Sequence, residues 1–190
     1  MRRGYGFGVR MQIVRLPLAA VALTTALASA GCGSSPATDG PLRGGAFGYS
    51  GGGSDCSPAQ VGQPVSFGDE QFTNHGHDTL VLDGVGLRDP SNVRLVGSLA
   101  VPGTDGIGVA RGFPPRFRDL PPTWKHRQQV HGFRLAPGKS FQMVLGVAAT
   151  GGRPARSAGM VISYHDPAGR YAVIDHFAMI IAVGRRECPS

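Results

Sequence analysis

The sequence predicts an all-β fold: an antiparallel sandwich of about seven short strands, preceded by an export signal and a flexible tether. From residue 56 onward apolar residues recur at every second position almost throughout, which is the strand period. Clusters of Gly, Pro, Asn and Asp punctuate those runs at short intervals, as hairpin turns require. No segment of the region carries an apolar stripe at helical 3.6-residue spacing.

The chain opens with Arg2, Arg3, Arg10 and Arg15, then an apolar run from Leu16 to Leu27, then small residues Ala28 to Gly31 ahead of Cys32. This is the three-part pattern of a secretory signal. The run falls short of the ~20 apolar residues that a permanent membrane span needs. A cysteine directly after the small residues resembles the bacterial lipoprotein signal, which implies that residues 1–31 are removed and that Cys32 carries a diacylglyceryl anchor. Ser29 stands where that family prefers Leu, Val or Ile. The competing reading is an ordinary secreted chain with Cys32 incidental. Met11 offers a second start that keeps Arg15 as the positive flank.

Charge is modest once the signal is set aside. The formal +7 includes four signal arginines, and what remains is 15 basic against 12 acidic residues. Neither that balance nor an export route calls for a nucleic-acid partner. Residues 32–55 are mostly Gly, Ser, Pro, Ala and Thr with few large apolar groups, a composition that cannot offset its own ordering entropy. They are expected to form a tether with an r.m.s. reach of roughly 25–30 Å. The folded domain is then expected over 56–190. Cys56 and Cys188 stand at its two ends, and outside the cytoplasm such a pair is expected to form a disulfide rather than to remain as free thiols.

The strands follow in order. Val65 and Phe67 open the first, which Phe72 extends. Leu80 and Leu82 lead through Asp83-Gly84 to Val85 and Leu87, and the phase slip predicts a β-bulge at the glycine. Val93 to Val101, Val130 to Leu135, Phe141 to Ala149 and Met160 to Tyr164 supply four more. Tyr171 to Val183 is apolar on both faces and reads as one central strand covered on two sides. Asn74-His75-Gly76, Arg88 to Asn92, Ala136 to Lys139 and Asp166 to Gly169 supply the turns.

From Pro102 to Gln128 the rhythm breaks. The segment is too long for a hairpin connection, and such loops are usually functional or disordered. It carries Arg111, Arg116, Arg118, Lys125 and Arg127 around Trp124, the single tryptophan, with Phe113 and Phe117. A basic, aromatic-containing loop suits anionic lipid, wall polymer or a protein partner. The plainer reading is a solvated loop with Trp124 folded back onto the sandwich.

Phe72-Thr73-Asn74-His75-Gly76, Thr79 to Val85, Leu135-Ala136-Pro137-Gly138 and Val161 to Tyr164, behind a lipoprotein signal, resemble the small immunoglobulin-like extracytoplasmic domains of lipoproteins from high-GC Gram-positive bacteria. The resemblance spans residues 60–185 and rests mainly on turn motifs. It implies an immunoglobulin-like fold and a cell-surface address, and no catalytic residue carries over. Residue chemistry points the same way. No G-x-S-x-G elbow and no paired carboxylates occur, and Gly51 to Gly53 precede no helix, so an enzyme is not expected. The expected function is a membrane-anchored binding or structural module on the extracytoplasmic face. The alternative is a Cu or Zn module using His75 and His77, two imidazoles at i, i+2, with Asp166 as a further oxygen. Met143, Met160 and Met179 fall at core phases and are expected to fill gaps.

Overall fold

The computed structural model describes residues 37–46, 53–116 and 119–188. Cys32, the signal expected over residues 1–31, and Arg118 lie outside those residues. Thirteen strands occur among the described residues: β1 Leu42–Ala46, β2 Ser54–Ala59, β3 Pro64–Asn74, β4 Leu80–Leu87, β5 Val93–Pro102, β6 Gly108–Arg111, β7 Gln128–Gln129, β8 Arg134–Leu135, β9 Ser140–Ala149, β10 Ala155–Ser157, β11 Met160–Asp166, β12 Gly169–Asp175 and β13 Ala178–Val183. One short 3-10 helix spans Pro122–His126. The all-β sandwich is therefore as expected, with more and shorter strands than seven.

A six-stranded sheet runs β1-β3-β9-β5-β7, with β6 sharing the edge of β3 that β1 also uses. A four-stranded sheet runs β12-β11-β4-β8, and a three-stranded sheet runs β10-β13-β2. Side chains from all three sheets meet in one core, including Phe72, Phe141, Met143, Leu145, Leu80, Leu82, Ile162, Tyr164, Met160, Met179 and Ile181. The three methionines are thus buried in or beside apolar packing as expected. Pairing is antiparallel except between β13 and β2, which run parallel.

Several boundaries differ from expectation, each for a physical reason. Within the stretch expected as tether, the described residues depart from that expectation: Leu42 is fully buried, Leu42–Ala46 pairs with Asn74–Glu70, and β2 begins at Ser54. The span from Tyr171 to Val183 is not one strand. Its chain breaks at His176-Phe177, and β12 and β13 then serve different sheets. Val130 to Leu135 yields only two strand residues, because Gly132 takes a left-handed φ of 81° in a turn. The β4 bulge is present: Gly84 faces Ser163 and Leu82 faces Tyr164, which leaves Asp83 as the extra residue. It is Asp83 rather than a strained Gly84 that is left over, since Gly84 is not among the residues of positive φ.

β5 carries a bulge that the sequence alternation concealed. Its register slips at Val96, between Leu95 and Gly97. Leu95 packs with the inner core, whereas Leu99 and Val101 join a second cluster with Val144 and Ile107. The central sheet is therefore apolar on both faces along β5 and β9, and its outer face needs a cover.

Candidate functional site

The cover is the Pro102–Gln128 segment, and its length follows from that task. Phe113, Leu120 and Trp124 pack onto Leu99, Val101, Ile107 and Val144. The ring of Phe113 sits over Gly97 and Gly146, which face each other directly across β5 and β9. Two opposed glycines leave a pit in the sheet surface, and the phenyl ring fills it. A Cβ at Gly97 would lie 2.6 Å from Phe113 Cε1, and one at Gly146 would lie 2.7 Å from Phe113 Cδ1, both well inside contact. Gln142, buried on the same face, donates from Nε2 to the carbonyl of Gly68 in β3. Thr123 Oγ1 donates to Asp105 Oδ2 at 2.8 Å and fastens the 3-10 helix to the loop before β6.

The candidate interaction residues stand on this layer. Arg111 ends β6 rather than lying in a free loop, paired opposite Val65. Arg111, Arg116, Lys125 and Arg127 are exposed, while Trp124 is half-buried. The Arg127 guanidinium lies 4.8 Å from the Trp124 ring centroid and donates to the Trp124 carbonyl at 3.1 Å. Trp124 thus folds back onto the sandwich with Lys125 and Arg127 beside it, whereas Arg111 stands on β6, three strands away from β5 in the sheet. Asp105 and Asp119 are the acidic residues of the segment.

The two turn motifs read from the sequence meet at one end of the sandwich, and Asn74 joins them. Asn74 is fully buried; its Oδ1 accepts the Gly76 amide at 2.8 Å, and its Nδ2 donates to the carbonyls of Asp78 and Leu135 at 2.8 and 3.0 Å. Its main chain bonds Lys139 and Gly138 across the neighbouring turn. His75 and His77 are exposed on the turn that Asn74 shapes. Asp166, the further oxygen considered for a metal, caps its own turn by accepting the Ala168 and Gly169 amides at 2.8 and 3.0 Å. His165 Nδ1 pairs with Asp83 Oδ1 at 2.8 Å, Arg170 stands 3.8 Å from Asp83 Oδ2, and His131 Nδ1 meets the Asp83 carbonyl at 2.7 Å. Among the described residues no group of three or more His, Cys, Asp or Glu side chains converges as a metal site would require.

Beside that end lies an open cleft of about 480 Å³, bounded by Gly103, Gln128, Phe133, Arg134, Ala136 and Lys139 among others. Sequence reasoning missed it, because its walls come from β5, β7, β8 and a turn that approach only in the folded chain. Cys56 and Cys188 are bridged, with Cα atoms 5.9 Å apart and a sequence separation of 132. The bridge ties β2 to the chain beyond β13.

No protein-family model matches the chain. No curated protein sequence matches it either. Two solved structures share a loose similarity. The ASH/PapD-like domain of human CEP192 (PapD-like domain 7) gives a TM-score of 0.40 at 14% identity, covering 90% of this chain and 100% of that one. The Vibrio cholerae VesB protease gives 0.37 at 11% identity, covering 73% of this chain and only 31% of that one.

Proposed function

We propose that this protein is a lipid-anchored, extracytoplasmic, immunoglobulin-like module that binds an anionic partner and performs no catalysis. Cys32 is its anchor, and the outer face of the cell membrane is its place. The observation that carries the binding role is the exposure of Arg111, Arg116, Lys125 and Arg127 on a segment whose Phe113 and Trp124 pack onto the sheet, with Arg127 stacked over the Trp124 ring. The layer beneath is ordered by Phe113 and Trp124, so the cations are presented without a large ordering cost at the moment of binding. Guanidinium groups suit carboxylate and phosphate oxygens, in wall polymer or on an acidic protein, and Arg127 is held in place by the Trp124 ring and carbonyl.

The test has two arms. Cys32→Ala should release the protein from the membrane fraction or leave an uncleaved precursor; a variant that fractionates and migrates like the parent sinks the anchor. Replacing Arg111, Arg116, Lys125 and Arg127 together by Gln should abolish binding to phosphate-bearing wall polymer at low salt and leave the melting temperature nearly unchanged. The parent's binding should weaken as salt screens charges beyond ~8–10 Å. Equal binding by parent and variant at low salt removes these cations from the function.

A further inference from the structure

Residues 37–41, just before β1, are part of the fold, and their course bears on how the domain meets its membrane. Ala37 bridges Tyr171 in the parallel sense, its amide donating to the Arg170 carbonyl at 3.4 Å and its carbonyl accepting the Ala172 amide at 2.9 Å. The chain therefore runs alongside β12 in the same direction, arriving from the Gly169 end. The Pro41 carbonyl accepts the His75 amide at 3.0 Å, and the Leu42 amide donates to the buried Tyr164 hydroxyl at 3.1 Å. Three separate attachments hold residues 37–42 along the end of the sandwich.

Three turns make up that end: His75 to Thr79, Ala136 to Lys139, and Asp166 to Gly169. Their adjacency follows from the pairing, since Asn74 bonds the second turn, and Arg170, His165, Val81 and Arg134 stand opposite one another across β12, β11, β4 and β8. Only Gly33 to Pro36 separate Cys32 from Ala37. Five steps of fully extended chain reach at most ~18 Å. That is shorter than the sandwich is long, because β3 alone, with 11 residues, spans roughly 30 Å or more.

We infer that the three-turn end of the domain is held against the lipid headgroups of the bilayer that carries the anchor, with the opposite end directed away. The inference rests on the proposal that Cys32 is lipidated. A 24-residue tether would let any face meet the membrane; a five-residue leash that departs from one end does not. The occupant of this surface is the bilayer itself, because only four residues separate the proposed anchor, Cys32, from Ala37 in the sequence. The formal charge of the end needs no large positive value, since the leash and not electrostatic attraction keeps it in place.

The lipidated full-length protein, reconstituted in phosphatidylglycerol vesicles bearing a headgroup-attached spin label, provides the test. With Trp124→Phe as background, His77→Trp and Ala168→Trp place reporters at the three-turn end. Val61→Trp places one at the far end, on the exposed turn between β2 and β3. All three positions are exposed, and two near reporters guard against a local folding defect in either. The expected result is several-fold stronger quenching of both near reporters than of the far one. A Gly/Ser insert of roughly 20 residues between Pro36 and Ala37, with its coil reach of about 25 Å, should collapse the difference. Vesicle-bound protein with equal or reversed quenching overturns the orientation, and a difference that survives the insert overturns the leash as its cause. Protein that carries no lipid by mass and does not bind vesicles sinks the anchor proposal itself, a result distinct from either.

Discussion

Replacing Gly146 by alanine changes a single methyl group, yet the structure assigns it a cost with a known sign. Gly146 is not among the residues of positive φ, so its backbone accepts alanine. In an unobstructed strand the change would stabilise the domain by ~0.5–1 kcal/mol, because glycine loses more conformational freedom on folding. The new Cβ, however, falls 2.7 Å from Phe113 Cδ1 and closer still to other ring atoms. If the ring stays, the crowding costs ~1–3 kcal/mol. If the ring leaves, a half-buried phenyl surrenders its burial, a loss of ~2 kcal/mol at about 25 cal/mol per Å². Either route gives a net loss of ~1–2 kcal/mol and a melting temperature lower by roughly 3–8 °C for a domain of this size. Phe113→Ala empties the pit, and in that background Gly146→Ala should be neutral or stabilising. The double-mutant cycle in urea, followed by Trp124 fluorescence and checked by calorimetry, should return a coupling of about 2 kcal/mol. Costs that add to within ~0.5 kcal/mol would refute the claim that Phe113 packs on the paired glycines.

Two further outcomes follow from other parts of the fold. Opening the Cys56–Cys188 bridge frees a loop that spans a sequence separation of 132, worth on the order of 5 kcal/mol by chain entropy and ~2–4 kcal/mol in practice. Non-reducing peptide mapping should show the linked pair, reduction should lower the melting temperature by several degrees, and two alkylatable thiols in freshly purified, unreduced protein would contradict it. Tyr164→Phe removes the acceptor for the Leu42 amide, so it should cost ~1 kcal/mol and expose residues 37–46 to protease. Burial raises the Tyr164 pKa above the ordinary phenol value, and the Leu42 bond and Arg43 oppose that shift only in part. A raised folded pKa means that the contribution is intact below about pH 10 and is lost as pH climbs through the folded value. Stability should therefore fall at alkaline pH in the parent and fall less in Tyr164→Phe; identical alkaline profiles would remove Tyr164 as the cause.

The strand period made β3, β4, β5, β9 and β11 legible, because a half-buried strand writes its burial into alternate residues. The disulfide was legible from cysteine position and the export expected from the N-terminal pattern. The turn motifs were legible as turns, but not as partners: nothing in Asn74-His75-Gly76 or Leu135-Ala136-Pro137-Gly138 states that Asn74 will bind Leu135 and Gly138. The outer layer was misjudged for a similar reason. Val93, Leu95, Gly97, Leu99 and Val101 keep perfect alternation in sequence, yet the slip at Val96 turns Leu99 and Val101 toward the opposite face. A bulge changes the facing of every residue after it, and a single strand read alone carries no sign of its partner's register. The long Pro102–Gln128 segment reads from sequence as an interaction loop or as a solvated one with Trp124 folded back; Trp124 does fold back, but that the segment covers a face the slip made apolar was not legible.

Glycine content misled in a different way at the N-terminus. A stretch rich in Gly, Ser and Pro has the composition of a flexible linker, and composition alone gives it no reason to fold. Two of its glycines are there because no side chain fits. A Cβ at Gly40 would stand 2.6 Å from Tyr171 Cγ, and one at Gly44 would stand 2.7 Å from Phe72 Cδ1. Gly40 lets the backbone pass over the stacked rings of Tyr164 and Tyr171, whose centroids are 5.4 Å apart, and so brings Leu42 to its buried place. Linker glycine and contact glycine are the same letter, and only the neighbour across the gap tells them apart. The difference is measurable in the intact protein: alanine at Gly40 should free Ala37 from β12 and lengthen the leash, whereas alanine at Gly33, among the four residues between Cys32 and Ala37, should leave the domain's stability as it was.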